Sequence, residues 1–234
     1  MKNTYSQTWF NLFLDTQLHT EQEVAFVMRN LPNPPYRRIL DVACGPGRHS
    51  LPLVKNGYEV VGIDLDEISI VQARQSTEDL ATFLQMDMRS LEEVPGTFDA
   101  VICLWQSFGY FDEVTNRDVL RQMGEKVGRN GRIILDIYNR SCFEQPQDIR
   151  HAERKGVEVT ITNQMKGNRL TAKLEYSNGS QPDMFEWQLF SLEEIAKIAS
   201  EIGFQCVLSC VECDEKKSVS IQKPRMQLVF EKYS

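Results

Sequence analysis

Ile39-Leu40-Asp41-Val42-Ala43-Cys44-Gly45-Pro46-Gly47-Arg48-His49-Ser50 reads as an apolar strand that runs into a glycine turn and leaves it as a helix. Gly45 and Gly47 allow backbone to approach a ligand where a side chain would collide. Outward from this stretch, short apolar runs recur at 60–63, 81–86, 100–104 and 133–137. Runs this apolar suit strands buried on both faces of a parallel sheet. Residues 48–56, 67–75 and 113–127 supply crossover helices, which must connect right-handedly. The pattern predicts an α/β fold: a doubly wound, mostly parallel sheet of seven strands, with an antiparallel insertion in the C-terminal half.

Upstream, Trp9, Phe10, Phe13 and Leu14, then Val24, Phe26, Val27 and Leu31, stand close to helical spacing, predicting two helices and a turn before a proline-rich break. Downstream, 157–163, 169–176 and 185–190 alternate in polarity and are separated by Lys166-Gly167-Asn168 and Ser177-Asn178-Gly179, the texture of an antiparallel meander. Ser191-Leu192-Glu193-Glu194 has the form of a capping box opening a helix that stops at Gly203, before two final strands. One domain over residues 1–234 is expected, with an N-terminal helical cap over 1–31. The meander over 150–190 is expected to be a substrate cover or a dimer contact.

Composition narrows the function. With 26 basic and 33 acidic residues, a net charge of −7 offers no general attraction to a phosphate backbone or an anionic membrane, so neither nucleic acid nor membrane is an expected partner. The first residues lack the pattern of a signal peptide and no apolar run reaches membrane-spanning length, which predicts a cytoplasmic protein. Cys44, Cys103, Cys142, Cys206, Cys210 and Cys213 are scattered and read as reduced thiols. Cys210 and Cys213 have no histidine or second cysteine pair nearby, so no metal site is expected.

The glycine turn points to a nucleotide. Seventeen residues beyond Gly47, a second strand ends in Asp64, where a carboxylate can accept both hydroxyls of a ribose. Asp66 is the better candidate for capping the next helix. A third strand closes on Asp87, suited to accept from an adenine amino group. Two nucleotides compete. A dinucleotide such as NAD needs a third glycine, where Ser50 stands, and seats an anionic pyrophosphate. Asp41 would repel that pyrophosphate but suits the positive amino group of a methionine moiety, so charge favours S-adenosylmethionine.

Asp41-x-Ala43-x-Gly45-x-Gly47 resembles the first motif of class I S-adenosylmethionine-dependent methyltransferases, with alanine for the first glycine. Gly57 to Asp64, Gln85 to Arg89, Phe98 to Val101, Ser107 to Phe111 and Gly131 to Asp136 are similar, in the same order, to one bacterial and archaeal subgroup of this Rossmann-like family, from about residue 20 onward. The resemblance implies a cofactor site of Asp41, Ala43, Cys44, Gly45, Gly47, Arg48, Asp64, Leu65, Asp87, Met88, Leu104, Trp105 and Ser107, with the 104–107 loop beside the transferable methyl. Trp105, Phe108, Tyr110 and Phe111 would line the sulfonium and acceptor cavity; core packing is the competing reading for Phe108 and Phe111.

The expected acceptor is a small molecule methylated on O or N. Asn33-Pro34-Pro35-Tyr36 spells the signature of DNA amino-methylating enzymes, but that motif must follow the fourth strand, and here it precedes the first. Candidates for acid–base work are His49, Tyr110, Tyr138 and His151, none decisive. Tyr138, Asn139 and Arg140 are expected to face the acceptor crevice, as are Tyr5, Trp9 and Phe10 if the first helix folds over the cofactor. The alternatives are an NAD-dependent oxidoreductase, set against by Asp41 and Ser50, and a catalytically silent partner-binding protein. A homodimer is open.

Overall fold

The computed structural model describes residues 5–13, 17–78, 80–146 and 149–233. Its first sheet contains β1 (Arg38–Val42), β2 (Glu59–Asp64), β3 (Thr82–Gln85), β4 (Phe98–Cys103), β5 (Val127–Tyr138), β10 (Phe204–Cys210) and β11 (Arg225–Lys232). The order is β10-β11-β5-β4-β1-β2-β3, parallel except where β11 runs antiparallel to β5 and β10 to β11. Strand order turns outward on either side of the β1/β4 pair, so a crevice opens at their carboxyl ends, where such sheets bind ligands. Asp41, opposite Gly62 on β2 and Ile102 on β4, stands at that point.

The strands are apolar because both faces are covered. On one face Leu40, Val101, Leu135 and Leu228 pack with α5 (Glu113–Lys126) and α7 (Leu192–Glu201). On the other, Ile39, Val60, Ile102 and Ile134 meet Val24, Phe26 and Val27 of α2 (Gln17–Asn30) and Leu53 of α3 (Ser50–Lys55). Truncating one of these fully buried leucines to alanine costs about 2–5 kcal/mol. The expected caps are in place: Asp66 accepts from Ser69 N at the start of α4 (Glu67–Ser76), and Ser191 with Glu194 forms a reciprocal capping box on α7.

Boundaries move where turns intervene. Helix α3 begins at Ser50 instead of Arg48, because Gly47 has φ +78° and cannot belong to a right-handed helix. The two expected N-terminal helices are α1 (Gln7–Phe13) and α2; the turn between them, with Leu14, lies outside the described residues. Three elements escape the sequence pattern: a 3-10 turn over Met88–Glu93, the one-turn α6 (Arg140–Phe143) and β6 (Arg150–Arg154). The last, Arg-His-Ala-Glu-Arg, has no apolar alternation because it is an edge strand.

The meander is a separate antiparallel sheet of β6, β7 (Val157–Lys166), β8 (Arg169–Tyr176) and β9 (Asp183–Gln188). Its inner face, with Val159, Leu170, Leu174, Phe185 and Trp187, packs around Leu12 of α1 and Phe143. Ser6 anchors α1 there: its N–H and hydroxyl donate to Asp183, which also accepts from the Tyr176 hydroxyl. No described helix is long and apolar enough to cross a membrane.

Candidate active site

A cavity of about 700 Å³ opens at the carboxyl ends of β1, β2 and β4. Of the residues expected around a cofactor, all but Gly47 line it. The two glycines of the turn divide the work. At Gly45 (φ +53°) an added Cβ would meet nothing within 4 Å, so the bare backbone forms cavity wall; at Gly47 it would stand 3.2 Å from Ala73 Cβ, so that glycine seats the turn on α4. Ala43 also takes a left-handed φ of 58°, which explains the glycine that the family motif has at this place.

Four carboxylates line the cavity, and each already has a partner. Asp41 is 1% exposed and accepts from the Ser50 hydroxyl at 2.6 Å. Ser50, which replaces a third glycine, thus orients the acid. Burial raises the pKa of Asp41, against the pull of His49 and the Ser50 bond. Asp64 accepts from Gly45 N at 2.8 Å and Asp66 N at 2.9 Å, and burial raises its pKa too. Asp66 is committed to its helix cap. Asp87 caps the 3-10 turn and holds the Arg89 guanidinium, with Nη2 at 2.6 Å.

Behind the turn lies a buried charge network that joins motif residues to Glu23 and Arg225, which stand in no motif. Glu23 of α2, 5% exposed, accepts from Arg48 Nη1 at 2.6 Å and Arg225 Nη2 at 2.9 Å, and lies 2.9 Å from His49 Nε2. Burial alone would raise the pKa of Glu23; the His49 bond and the charges of Arg48 and Arg225 outweigh it and hold the acid well below the usual carboxylate range. Arg225 also pairs with Asp136, which is 1% exposed and accepts from Gln227. The Arg48 guanidinium lies 5.1 Å from the Trp105 ring centroid. Its Nη2 is buried and has no partner among the described residues.

The 104–107 loop is held from the same network. Trp105 and Gln106 have φ of 58° and 62°, two successive left-handed residues that need external support. Trp105 N donates to Asp136 Oδ2 at 3.0 Å, Gln106 N to the Asp136 carbonyl at 2.9 Å, and Trp187 Nε1 to the Gln106 carbonyl at 3.1 Å.

The remaining wall is aromatic. Tyr5, Trp9 and Phe10 of the N-terminal segment face Trp105, Tyr110 and Phe111. Trp9 and Trp105 are 5.3 Å apart at their centroids, and the hydroxyls of Tyr5 and Tyr110 share a 2.5 Å hydrogen bond. Burial raises the pKa of both phenols, so both are protonated at neutral pH. Phe108 does not reach the cavity; it is 4% exposed and packs on Phe190 in the core.

The acid–base candidates separate. Tyr110 and His49 line the cavity, His49 tied to Glu23. Tyr138 does not: its ring packs between Phe143 and Trp187. His151 is exposed on β6, beside Thr160. Asn139 and Arg140 also turn away, Asn139 capping α6 and bonding the Ser220 carbonyl, Arg140 pairing with Glu194, because the chain enters α6 directly after β5. Asn33 and Tyr36 lie before β1, at the opposite end of the strand, bonded to the Gly57 and Asn130 carbonyls.

Residues 39–131 match the family model described as a methyltransferase domain. Over 218 residues the chain is 31% identical to a glycine/sarcosine N-methyltransferase of Parasynechococcus marenigrum (strain WH8102), covering 88% of this chain and 76% of that protein. Among solved structures, an S-adenosylmethionine-dependent methyltransferase from Clostridium acetobutylicum superposes with TM-score 0.80 at 15% identity over 92% of each chain. A sugar N-methyltransferase from Streptoalloteichus superposes with TM-score 0.75 at 19% identity, over 100% of this chain and 94% of that one. These two structures share the fold. With the NAD reading thereby set aside, the chain belongs to the class I S-adenosylmethionine-dependent methyltransferases.

Proposed function

We propose that the enzyme methylates the nitrogen of a small amine, with the cofactor lying along the 41–107 wall and the acceptor under the aromatic one. The polar groups suit the cofactor from end to end. Asp41 takes the amino group of the methionine part, and the buried, unpartnered Nη2 of Arg48 takes its carboxylate. Asp64 takes the ribose hydroxyls, Asp87 the adenine amino group, and Ala43, Cys44, Gly45, Leu65, Met88, Leu104, Trp105 and Ser107 the surfaces between. When bound, S-adenosylmethionine supplies an electrophilic methyl that leaves its sulfonium in line with an acceptor lone pair.

The observation that favours nitrogen is the commitment of every potential base. Each carboxylate and the one imidazole lining the cavity has a structural partner, and the two phenols are protonated. An alcohol needs its proton removed to become a competent nucleophile, whereas an amine that binds neutral already carries the lone pair. The chain's part is then to align and desolvate. Ring faces of Trp9, Trp105 and Tyr110 also favour the cationic product nitrogen by about 0.5–2 kcal/mol.

A second cavity of about 510 Å³ shares Arg89, Tyr110 and Phe111 with the first and continues toward Arg169 and Glu186 of the meander. On this reading the acceptor enters there, and the meander with α1 is its cover. The net charge of −7 disfavours nucleic acid, the six free thiols suit a reducing cytoplasm, and a homodimer through the edge strand β6 is compatible with the cover.

Calorimetric titration with S-adenosylmethionine, S-adenosylhomocysteine and NAD is the first test, followed by methyl-release assays on paired amines and alcohols of equal size. Micromolar binding of the first two alone and turnover confined to amines are expected. Turnover of the alcohols would overturn the assignment to nitrogen, and silence in all titrations would favour a non-catalytic protein.

A further inference from the structure

Resting on that cofactor placement, we propose that Glu23 is a positioning residue: from α2, outside every motif, it aims the Arg48 guanidinium at the carboxylate of the cofactor's amino-acid part. The geometry holds Arg48 by one nitrogen. Nη1 donates to Glu23 Oε2 at 2.6 Å and to the Thr20 hydroxyl at 2.7 Å, both on α2, and the guanidinium lies over the Trp105 ring. Nη2 stays buried and without a partner among the described residues, on a side chain that lines the cavity. An arginine serving only to pin α2 to the glycine turn gains most by spending both nitrogens of its fork on protein acceptors. This one leaves Nη2 unspent, on a guanidinium that its neighbours hold in place at the cavity.

Glu23 is itself held in place. Its second oxygen accepts from Arg225, and Arg225 is shared with Asp136, the acid that supports the left-handed Trp105–Gln106 pair. One buried network thus sets both the arginine at the amino-acid end of the cofactor and the loop beside its methyl. Neutralising Glu23 while keeping its shape loosens Arg48 without emptying the space.

The test separates the two ends of the cofactor. Wild type and Glu23→Gln are titrated with S-adenosylhomocysteine and with 5′-methylthioadenosine, which keeps the adenosine and thioether but has no amino-acid end. Loss of a charge-assisted contact predicts about 10-fold or greater weakening of S-adenosylhomocysteine, with methylthioadenosine changed by about 2-fold or less. Arg48→Ala should reproduce the same skewed ratio, and the double variant should add little to it. Equal weakening of both ligands would reduce Glu23 to a structural role, and unchanged affinities would remove it from the site. If Glu23→Gln fails to fold, Thr20→Val removes the other Nη1 acceptor and should skew the ratio in the same direction; an unskewed ratio there overturns the proposal. Wild type binding neither ligand would instead sink the cofactor placement itself.

Discussion

The two walls of the cavity are built by opposite means. The wall proposed for the cofactor carries most of the polar groups, and several of its contacts are short in sequence: Gly45 to Asp64, Ser50 to Asp41, Arg89 to Asp87. The wall proposed for the acceptor is made of rings brought together from far apart, Tyr5 against Tyr110 and Trp9 against Trp105. A hydrogen bond demands a particular atom within a few tenths of an ångström, whereas a ring face can be supplied by any of three residue types from any element that reaches. The first wall is therefore written as spaced motifs, and the second only as a surplus of aromatics.

The sharpest way to break this contrast is to remove one residue from each wall. Asp64→Ala should lower S-adenosylhomocysteine affinity by about 100-fold or more, since two hydrogen bonds to a charged acceptor contribute about 1.5–3 kcal/mol each. The fold should persist, because Asp64 lies at the end of β2 and its partners are loop amides; a titration beside a thermal melt reads both. Trp9→Ala should do the reverse, raising the acceptor KM about 10-fold while S-adenosylhomocysteine affinity changes by about 2-fold or less, because its ring neighbours are aromatic and α1 is anchored through Ser6. A variant that moved both constants equally would show that the two walls are one.

This division also explains what was legible in the sequence. The apolar strands, the glycine turn, the acid at each strand end and the capping box were readable because each is marked by residues a few positions apart. Glu23 and Arg225 were not: Arg225 lies 202 residues from Glu23, and nothing near either position marks it as part of a site. Tyr138, Asn139 and Arg140 misled for a related reason. Their place at the end of β5 is correct, but Tyr138 packs its ring between Phe143 and Trp187, a one-turn helix capped by Asn139 turns the other two from the crevice, and no periodicity announces four residues of helix. Likewise β6 lacks apolar alternation because an exposed edge favours charge.

The carboxylates of the cofactor wall give a pH test of smaller size. Burial raises the folded pKa of Asp41 above its unfolded value near 3.9, so the ligand-free protein keeps that proton to higher pH than the unfolded chain does. The sign follows: stability of the ligand-free protein falls as pH rises from the unfolded value through the folded one and is flat above it. An amino group needs the ionised acid, so cofactor affinity should rise across the same window, by about tenfold per pH unit at most. Asp64, raised by the same cause, contributes its own part. Titration in two buffers of different ionisation enthalpy should show proton release that shrinks in Asp41→Asn; undiminished release would assign the linkage to Asp64 alone.

The smallest effect lies within the turn, where Ala43 and Gly45 share nearly the same left-handed φ but differ in what a side chain does there. A non-glycine residue in this region costs about 1–2 kcal/mol, and glycine's extra freedom in the unfolded chain returns about 0.4–1 kcal/mol of that. Ala43→Gly should therefore stabilise the protein by about 0.5–1 kcal/mol, a rise in Tm of about 1–4 °C for a chain of this length. Gly45→Ala incurs the same backbone strain, and its Cβ meets no protein atom within 4 Å but projects from the wall of the cavity. Its melt should fall by a similar amount while cofactor affinity falls much further. If Ala43→Gly leaves the melt unchanged, the left-handed angle at 43 is carried without strain, and the alanine is simply an equal alternative to the family's first glycine. If Gly45→Ala binds the cofactor normally, the bare backbone at 45 is a turn requirement and not a ligand surface.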